Sequence, residues 1–247
     1  MSETKIHQDY QLQGNPVIEV PVPLVGNLVY DELGELVLAR LNERFRGNSI
    51  EYSQLPNKGQ SISFSSTPRA LAINQILREE TNNRIRVLSP EEVVRYWNSI
   101  PDKPDTYSDT NSIAVYQNEG PHEALRKRVL QILGIESTDE PLIVSNLGIE
   151  RADNDYGFTF VESQYQESIK APFLQKDGKV EYDAEKGLVS SENGISIYTS
   201  SDQSGLRRAC RDWDGDLVFW YDRLWGSYAD GRVNVVSDPA GSRRKFR

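Results

Sequence analysis

Apolar residues recur at helical spacing near the start of the chain. Leu33, Leu36, Val37, Leu41 and Phe45 share one face, which predicts an amphipathic helix from about Asp31 to Phe45. A second helix opens at Thr67, a cap with Pro68 in the first turn, and runs to about Glu80. A third starts at Ser89, where Pro90 comes next and Glu92 completes a capping box, and reaches about residue 99. The run NEGPHEALRKRVLQILG reads as a loop, a helix over 121–133 and a stop at Gly134.

Short apolar runs between the helices predict strands. Residues 17–25, VIEVPVPLV, belong at a sheet edge, because Pro21 and Pro23 would break a central ladder. Residues 49–53 and 61–65 read as short strands around a turn at Pro56 to Gly59, and further strands fall at 112–116, 142–145 and 157–161. The polar stretch 164–191 carries Lys and Glu, and an excursion of that length is expected to brace the face formed by the C-terminal strands. Residues 1–15 are polar and read as an arm or frayed tail; DPAGSRRKFR at the other end reads as a turn and a solvated basic tail.

The pattern changes character over residues 205–236, GLRRACRDWDGDLVFWYDRLWGSYADGRVNVV. Three of the four tryptophans lie here, Trp213, Trp220 and Trp225, joined by Phe219, Tyr221 and Tyr228 and interleaved with Asp212, Asp214, Asp216, Asp222 and Asp230. No Glu or Lys occurs from 193 to 244, although the rest of the chain uses both. Trp and Tyr offer large rigid contact area at low rotamer cost, and Arg adds planar donors, so this is the composition of a binding surface. Burial as core is the alternative for any single aromatic. In a strand the adjacent Trp220 and Tyr221 would point opposite ways, so the set cannot all be buried on one face.

A regular frame runs through the same residues: Gly205, Leu206, Arg207, Arg208, Leu217, Leu224, Ser227, Gly231, Arg232 and Val233. With the lead-in ISIYTSSDQSGLRR, this GLRR…L…L…S…GRV…V skeleton resembles the variable region of proteins diversified by retroelements, in their archaeal, viral and candidate-phyla forms. The specific likeness covers about 194–238; RVLSPEEVVRYW is loosely similar to the first-helix region of formylglycine-generating-enzyme-type lectin folds. The resemblance implies an α+β C-type lectin-like fold, with an antiparallel sheet, two main helices near 89–99 and 121–133, and an N-terminal elaboration. In that family, substitutions at template adenines yield residues such as Asp, Tyr, Ser, Gly, Ala or Phe but not Glu or Lys, which would account for the composition. The implied organisation is a strand–helix elaboration over 1–60 and a ligand-binding domain over 61–240, with its variable region at about 205–236.

On that reading Leu206, Leu217, Leu224, Val233 and Val235 fill the core, Arg207 and Arg208 hold carbonyls or acids, and Gly231 makes a turn. The C-terminal strands display Asp212, Trp213, Asp214, Asp216, Trp220, Tyr221, Asp222, Arg223, Trp225 and Tyr228 on one face. The expected partner is a protein or a neutral glycan on a cell surface. A structural virion component is the alternative, and a hydrolase a more distant one.

Charge and chemistry narrow the reading. A net charge of −9 and a pI near 4.9 argue against a general nucleic-acid or membrane-surface binder. No apolar run is long enough to span a bilayer, and the start has no signal-peptide core, so a surface role implies delivery on a particle or by another path. Cys210 is the one cysteine, which excludes an internal disulfide and the paired-cysteine chemistry of the sulfatase-activating fold relative. No evident carboxylate pair marks a glycosidase, and His122 has no recognisable Ser or Cys nucleophile motif beside it.

Three local patterns resemble ligand sites. YSDTNSIAV, 107–115, is similar to the two-aspartate metal motif of family B DNA polymerases, but Asn111 replaces the second carboxylate. DWDGD, 212–216, resembles a calcium loop, but Leu217 and Arg223 stand where an EF-hand needs Gly and an acid. Ser65, Ser66, Thr67 and Arg69 sit where a helix start either holds an anion or is capped, and capping explains the same residues. The expectation is therefore no metal, no cofactor and no catalytic residue.

Overall fold

The computed structural model describes residues 8–10, 18–20, 23–102, 105–180 and 196–238. The basic tail after Asp238 and residues 181–195, which include the last part of the polar excursion, lie outside them. The chain is a mixed α+β protein with several mostly antiparallel sheets and few helices.

Strands β1 (Gln8–Tyr10) and β2 (Ile18–Val20) pair antiparallel, so part of the expected N-terminal arm is a strand. The edge strand expected over 17–25 is two strands, β2 and β3 (Leu24–Asn27). Helix α1 (Glu32–Arg44) starts where Asp31 accepts a hydrogen bond from the Gly34 backbone N–H, and it buries Val37, Leu38 and Leu41. Leu36, expected on that face, points to solvent. Helix α2 (Thr67–Glu80) is buried along most of its length and carries Leu71, Ile73, Ile76 and Leu77 into the core.

Residues 49–53 and 61–65 are not strands; only isolated bridges join Val29 to Ser61 and Ser63 to Arg232. Side chains have taken the backbone groups that a ladder would use. Asn42 brackets Tyr52, accepting from its N–H at 2.8 Å and donating to its carbonyl at 3.1 Å, and Arg69 donates to the carbonyls of Ser49, Ile50 and Glu51.

Strand β4 (Ile85–Val87) leads to helix α3 (Pro90–Arg95), whose capping box of Ser89 and Glu92 forms as its sequence predicts. The helix is shorter than expected and continues only as a separate 3-10 turn at Trp97–Ser99. Strand β5 (Tyr107–Val115) comes next, fully buried over nine residues although its first half is polar. The polar pattern there predicts a turn as far as Asn111. Instead most of the polar side chains find partners: Asn111 donates to the Val87 carbonyl and to Asn146, and Ser112 meets Ser145 at 2.7 Å.

The remaining elements are helix α4 (Glu123–Ile132) and strands β6 (Leu142–Ser145), β7 (Gly148–Arg151), β8 (Phe158–Val161), β9 (Glu167–Lys170), β10 (Gly178–Val180), β11 (Ile197–Thr199), β12 (Leu206–Arg211), β13 (Leu217–Val218), β14 (Gly231–Arg232) and β15 (Asn234–Ser237). The largest sheet runs β10-β11-β13-β12-β5-β6-β9, with β14 parallel to the first two residues of β5. A second sheet, β3-β15-β4, ties the N-terminal segment to the last strand.

Successive residues of β5 feed two cores. Ile113 and Val115 join the cluster that includes α1, α2 and α4, while Ala114 joins the one beneath α3 with Leu217 and Phe219. The longest helices are thus α1 and α2, not the pair expected near 89–99 and 121–133.

Candidate ligand-binding face

The face is built outward from one buried ion pair. Arg208, on β12, clasps Asp109, on β5, through Nε at 2.9 Å and Nη2 at 2.7 Å. Ser65 and Thr67 donate to the same carboxylate at 3.0 and 2.8 Å. The start of α2 does hold an anion, but it is the chain's own Asp109, and Ser66 in the cap position makes no side-chain cap bond. Asp109 is therefore committed to Arg208 and not arranged as a polymerase-type metal ligand. Burial opposes the charge on Arg208, but Asp109 outweighs it and raises the guanidinium pKa.

Tyr107, the first residue of β5, lies below Arg208 with the guanidinium 5.3 Å from its ring centre. Its hydroxyl donates to the Ser65 carbonyl and accepts from the Tyr228 backbone N–H, both at 2.7 Å. Burial pushes its pKa up to about 12, so it remains a neutral phenol. Gly231 closes the turn from Tyr228, but its lack of a side chain has another cause. A Cβ there would lie 2.6 Å from the Tyr107 ring and 2.8 Å from the Ser65 nitrogen.

None of the ten residues singled out from the sequence lies in a strand. β13 and β14 are only two residues each, so the side chains expected on a strand face sit in two loops, 212–216 and 219–230. Alternation therefore does not govern Trp220 and Tyr221, and both are exposed.

In the first loop Asp212 accepts from the Asp216 N–H at 3.0 Å, and Asp216 accepts from the Ser196 N–H at 2.8 Å. Each of these half-buried carboxylates is thus engaged by a backbone N–H, one within the turn and one in the lead-in to β11. Burial, with Asp216 and Asp214 nearby, raises the Asp212 pKa. Gly215 adopts φ +92°, and a Cβ there would be 2.2 Å from Trp97. Trp213 and Asp214 remain at the exposed tip.

The second loop is tied down along its length. The Arg208 N–H donates to the Tyr221 carbonyl at 2.9 Å, and the Thr67 N–H to the Leu224 carbonyl at 3.0 Å. His122 Nε2 bonds to the Asp222 carbonyl, Arg69 donates to Ser227 Oγ at 3.1 Å, and Arg232 donates to the Ala229 carbonyl at 2.9 Å. Leu217, Phe219 and Leu224 point inward and are fully buried, as are Leu206 and Val233. Val235 is only half-buried, and Val236 takes the deep position instead. Arg207 donates to the Ser204 carbonyl at 2.9 Å and lies 4.0 Å from Asp222.

Five rings project from this frame: Trp213 at 39 % exposure, Trp220 at 37 %, Tyr221 at 36 %, Trp225 at 43 % and Tyr228 at 50 %. Trp213 packs on Tyr107 with centroids 5.0 Å apart, and its indole N–H bonds to Asp230. Trp225 lies against His122 and Tyr156, and Trp220 against Tyr198. Asp214, Asp222 and Arg223 supply exposed charge.

Sequence reasoning misses His122, Tyr156 and Tyr198, which lie at the edge of the face but far from the loop in sequence. In the structure His122 occupies the N-cap of α4 with φ +62°, where its ring reaches the loop. Cys210 is buried, and burial pushes its thiol up to about 12. Among the described residues, no group of three or more His, Cys, Asp or Glu is placed to hold a metal ion, and no helix is long and apolar enough to cross a membrane. Comparison with protein-family models, curated proteins and solved structures finds no significant match.

Proposed function

We propose that this chain is a ligand-recognition protein that carries a replaceable binding surface on a C-type lectin-like scaffold diversified by a retroelement, and that it attaches to cell-surface ligands. The observation that carries the reading is the division of labour in 212–230. Leu217, Phe219 and Leu224 are buried, while five intervening aromatic rings stand at 36 to 50 % exposure. Isolated exposed aromatics are ordinary; five on two adjoining tied loops form a surface of the kind that marks interaction sites. The resemblance of the GLRR…L…L…S…GRV frame supplies the diversification part of the proposal, and the absence of Lys and Glu from 193 to 244 supports it.

The surface favours recognition over catalysis, since Asp212 and Asp216 are spent on the loop backbone and Asp109 on Arg208. Exposed Asp214 and Asp222 repel polyanions and favour neutral or cationic partners, so a protein surface or neutral glycan fits better than nucleic acid.

The test has two arms. The protein is passed over a surface-protein and glycan array and titrated with DNA at low salt. Array binding that is lost in the Trp220→Ser, Tyr221→Ser double variant supports the reading. Tight DNA binding with a steep salt slope, or array binding indifferent to that double variant, overturns it. A reverse-transcriptase gene beside the coding sequence, with a near-copy repeat differing at adenines, is the genomic counterpart; absence of both removes the diversification part.

A further inference from the structure

All three projecting tryptophans lean on rings from outside their loops: Trp213 on Tyr107 of β5, and the other two on rings at the edge of the face. Trp220 faces Tyr198 with centroids 6.0 Å apart and planes 32° apart. Trp225 lies 4.9 Å from His122 and 5.8 Å from Tyr156, at 63° and 52°. His122 and Tyr156 also pack on each other at 5.8 Å and 76°. Among the described residues Tyr221 differs, since its ring neighbour is Trp220 within the same loop.

The outside rings sit on independently fixed elements. Tyr198 belongs to β11, which pairs with β10 and β13, and its carbonyl accepts from Phe219 at 3.3 Å. Tyr156 lies in the β7–β8 turn, where its N–H bonds to Asn154 Oδ1 at 3.0 Å. His122 begins α4 and bonds to the Asp222 carbonyl. All three are half-buried beside the tryptophan they support.

We propose that Tyr198, Tyr156 and His122 are positioning residues of the binding face, which fix Trp220 and Trp225 before a ligand arrives. The proposal rests on the recognition reading above and adds to it where the fixed part of the surface lies. A large ring held in place does not lose freedom on binding, so more of its contact appears as affinity. Offset or edge-to-face packing on a second ring supplies that hold. A ligand that covers Trp220 or Trp225 also comes close to its support. The face would then have an invariant aromatic border around replaceable residues.

Fluorine NMR on the full chain labelled with 5-fluorotryptophan tests the proposal without a ligand. The four tryptophans give four resonances, assigned by single Trp→Phe substitutions. Tyr198→Ala is expected to move the Trp220 resonance and leave Trp97 in place, with Tyr198→Phe restoring it. Tyr156→Ala is expected to move Trp225 in the same selective way. For whichever glycan or protein the array identifies, each Ala variant should weaken binding by about two- to tenfold at little cost in melting temperature. Unmoved Trp220 and Trp225 resonances overturn the proposal. Movement of all four together also overturns it, since that is general loosening of the fold. An array without a hit counts against the recognition reading, while the resonances still decide the supports.

Discussion

Arg208 reaches across 99 residues of sequence to hold both oxygens of Asp109, and the two loops of the candidate face fold around that contact. Ser65 and Thr67 complete the carboxylate's shell, so the pair joins β5, β12 and the start of α2 at one point. Removing one partner strands a buried charge. Asp109→Asn is expected to cost about 3–5 kcal/mol in chemical denaturation, and Arg208→Met about as much. Joining Arg208→Met to Asp109→Leu should recover part of the loss, because no lone charge remains. Additive losses in the double variant would contradict this account.

Frame and face should respond oppositely to substitution. Leu217→Asn and Leu224→Asn place an amide in fully buried apolar sites and are expected to cost about 3–5 kcal/mol. Trp220→Ser and Tyr221→Ser remove exposed rings and should each cost less than about 1 kcal/mol. Trp213→Ser should fall between, since Trp213 also packs on Tyr107 and bonds to Asp230. Thermal denaturation of the five variants gives the order directly.

Gly231→Ala should destabilise more than an ordinary surface change. Its Cβ would press into the Tyr107 ring at 2.6 Å, and that ring is held by two hydrogen bonds and cannot swing away. The accompanying Tyr107→Leu substitution should relieve the clash with the ring, though not the 2.8 Å approach to the Ser65 nitrogen or the lost hydrogen bonds. A melting temperature for Gly231→Ala equal to that of the parent would refute the packing argument.

The Cys210 thiol should resist alkylation in the folded protein at pH 8 and react once the chain is denatured. Burial raises its pKa from 9.0 to about 12, which suppresses the thiolate. The native state therefore binds this proton more tightly than the unfolded chain. The associated stability is fully present below about pH 9 and is lost as pH rises from there toward 12. Cys210→Ala should flatten that part of the stability profile, which denaturant midpoints across the alkaline range would reveal.

Calcium at millimolar concentration should leave the melting temperature unchanged in the parent and in Asp214→Asn. The Asp212 carboxylate already serves the Asp216 N–H within the turn and the Asp216 carboxylate serves the Ser196 N–H, leaving Asp214 at the tip. A native-state ligand raises the melting temperature by mass action, so a calcium-dependent rise absent from Asp214→Asn would restore the metal site.

Local signals carried the helices. Pro68 marks the first turn of α2 through its fixed φ, and Ser89 with Glu92 marks the capping box of α3, whose bonds close within one turn of sequence. The composition of 205–236 likewise marks the stretch that contains the exposed rings. The features that stayed hidden depend on distant partners. The polar start of β5 can be buried only because Arg208, Asn146 and Ser65 arrive from elsewhere. Residues 49–53 lose their ladder to Asn42 and Arg69, and Tyr198, Tyr156 and His122 meet the loop only through the fold.

The ties on the 219–230 loop fall mostly on main-chain atoms. Tyr221, Asp222, Leu224 and Ala229 are gripped by their carbonyl oxygens, a group that all twenty amino acids share. At Tyr221, Asp222 and Ala229, whose side chains stand clear of the core, the grip is blind to residue identity, and a new side chain inherits its predecessor's place. Ser227 is held by its own hydroxyl, and at position 228 the grip differs again. There the grip is on the N–H, through the Tyr107 hydroxyl, and proline alone has none to offer. A library randomised over the loop and selected only for folding should accept proline at 229 more readily than at 228.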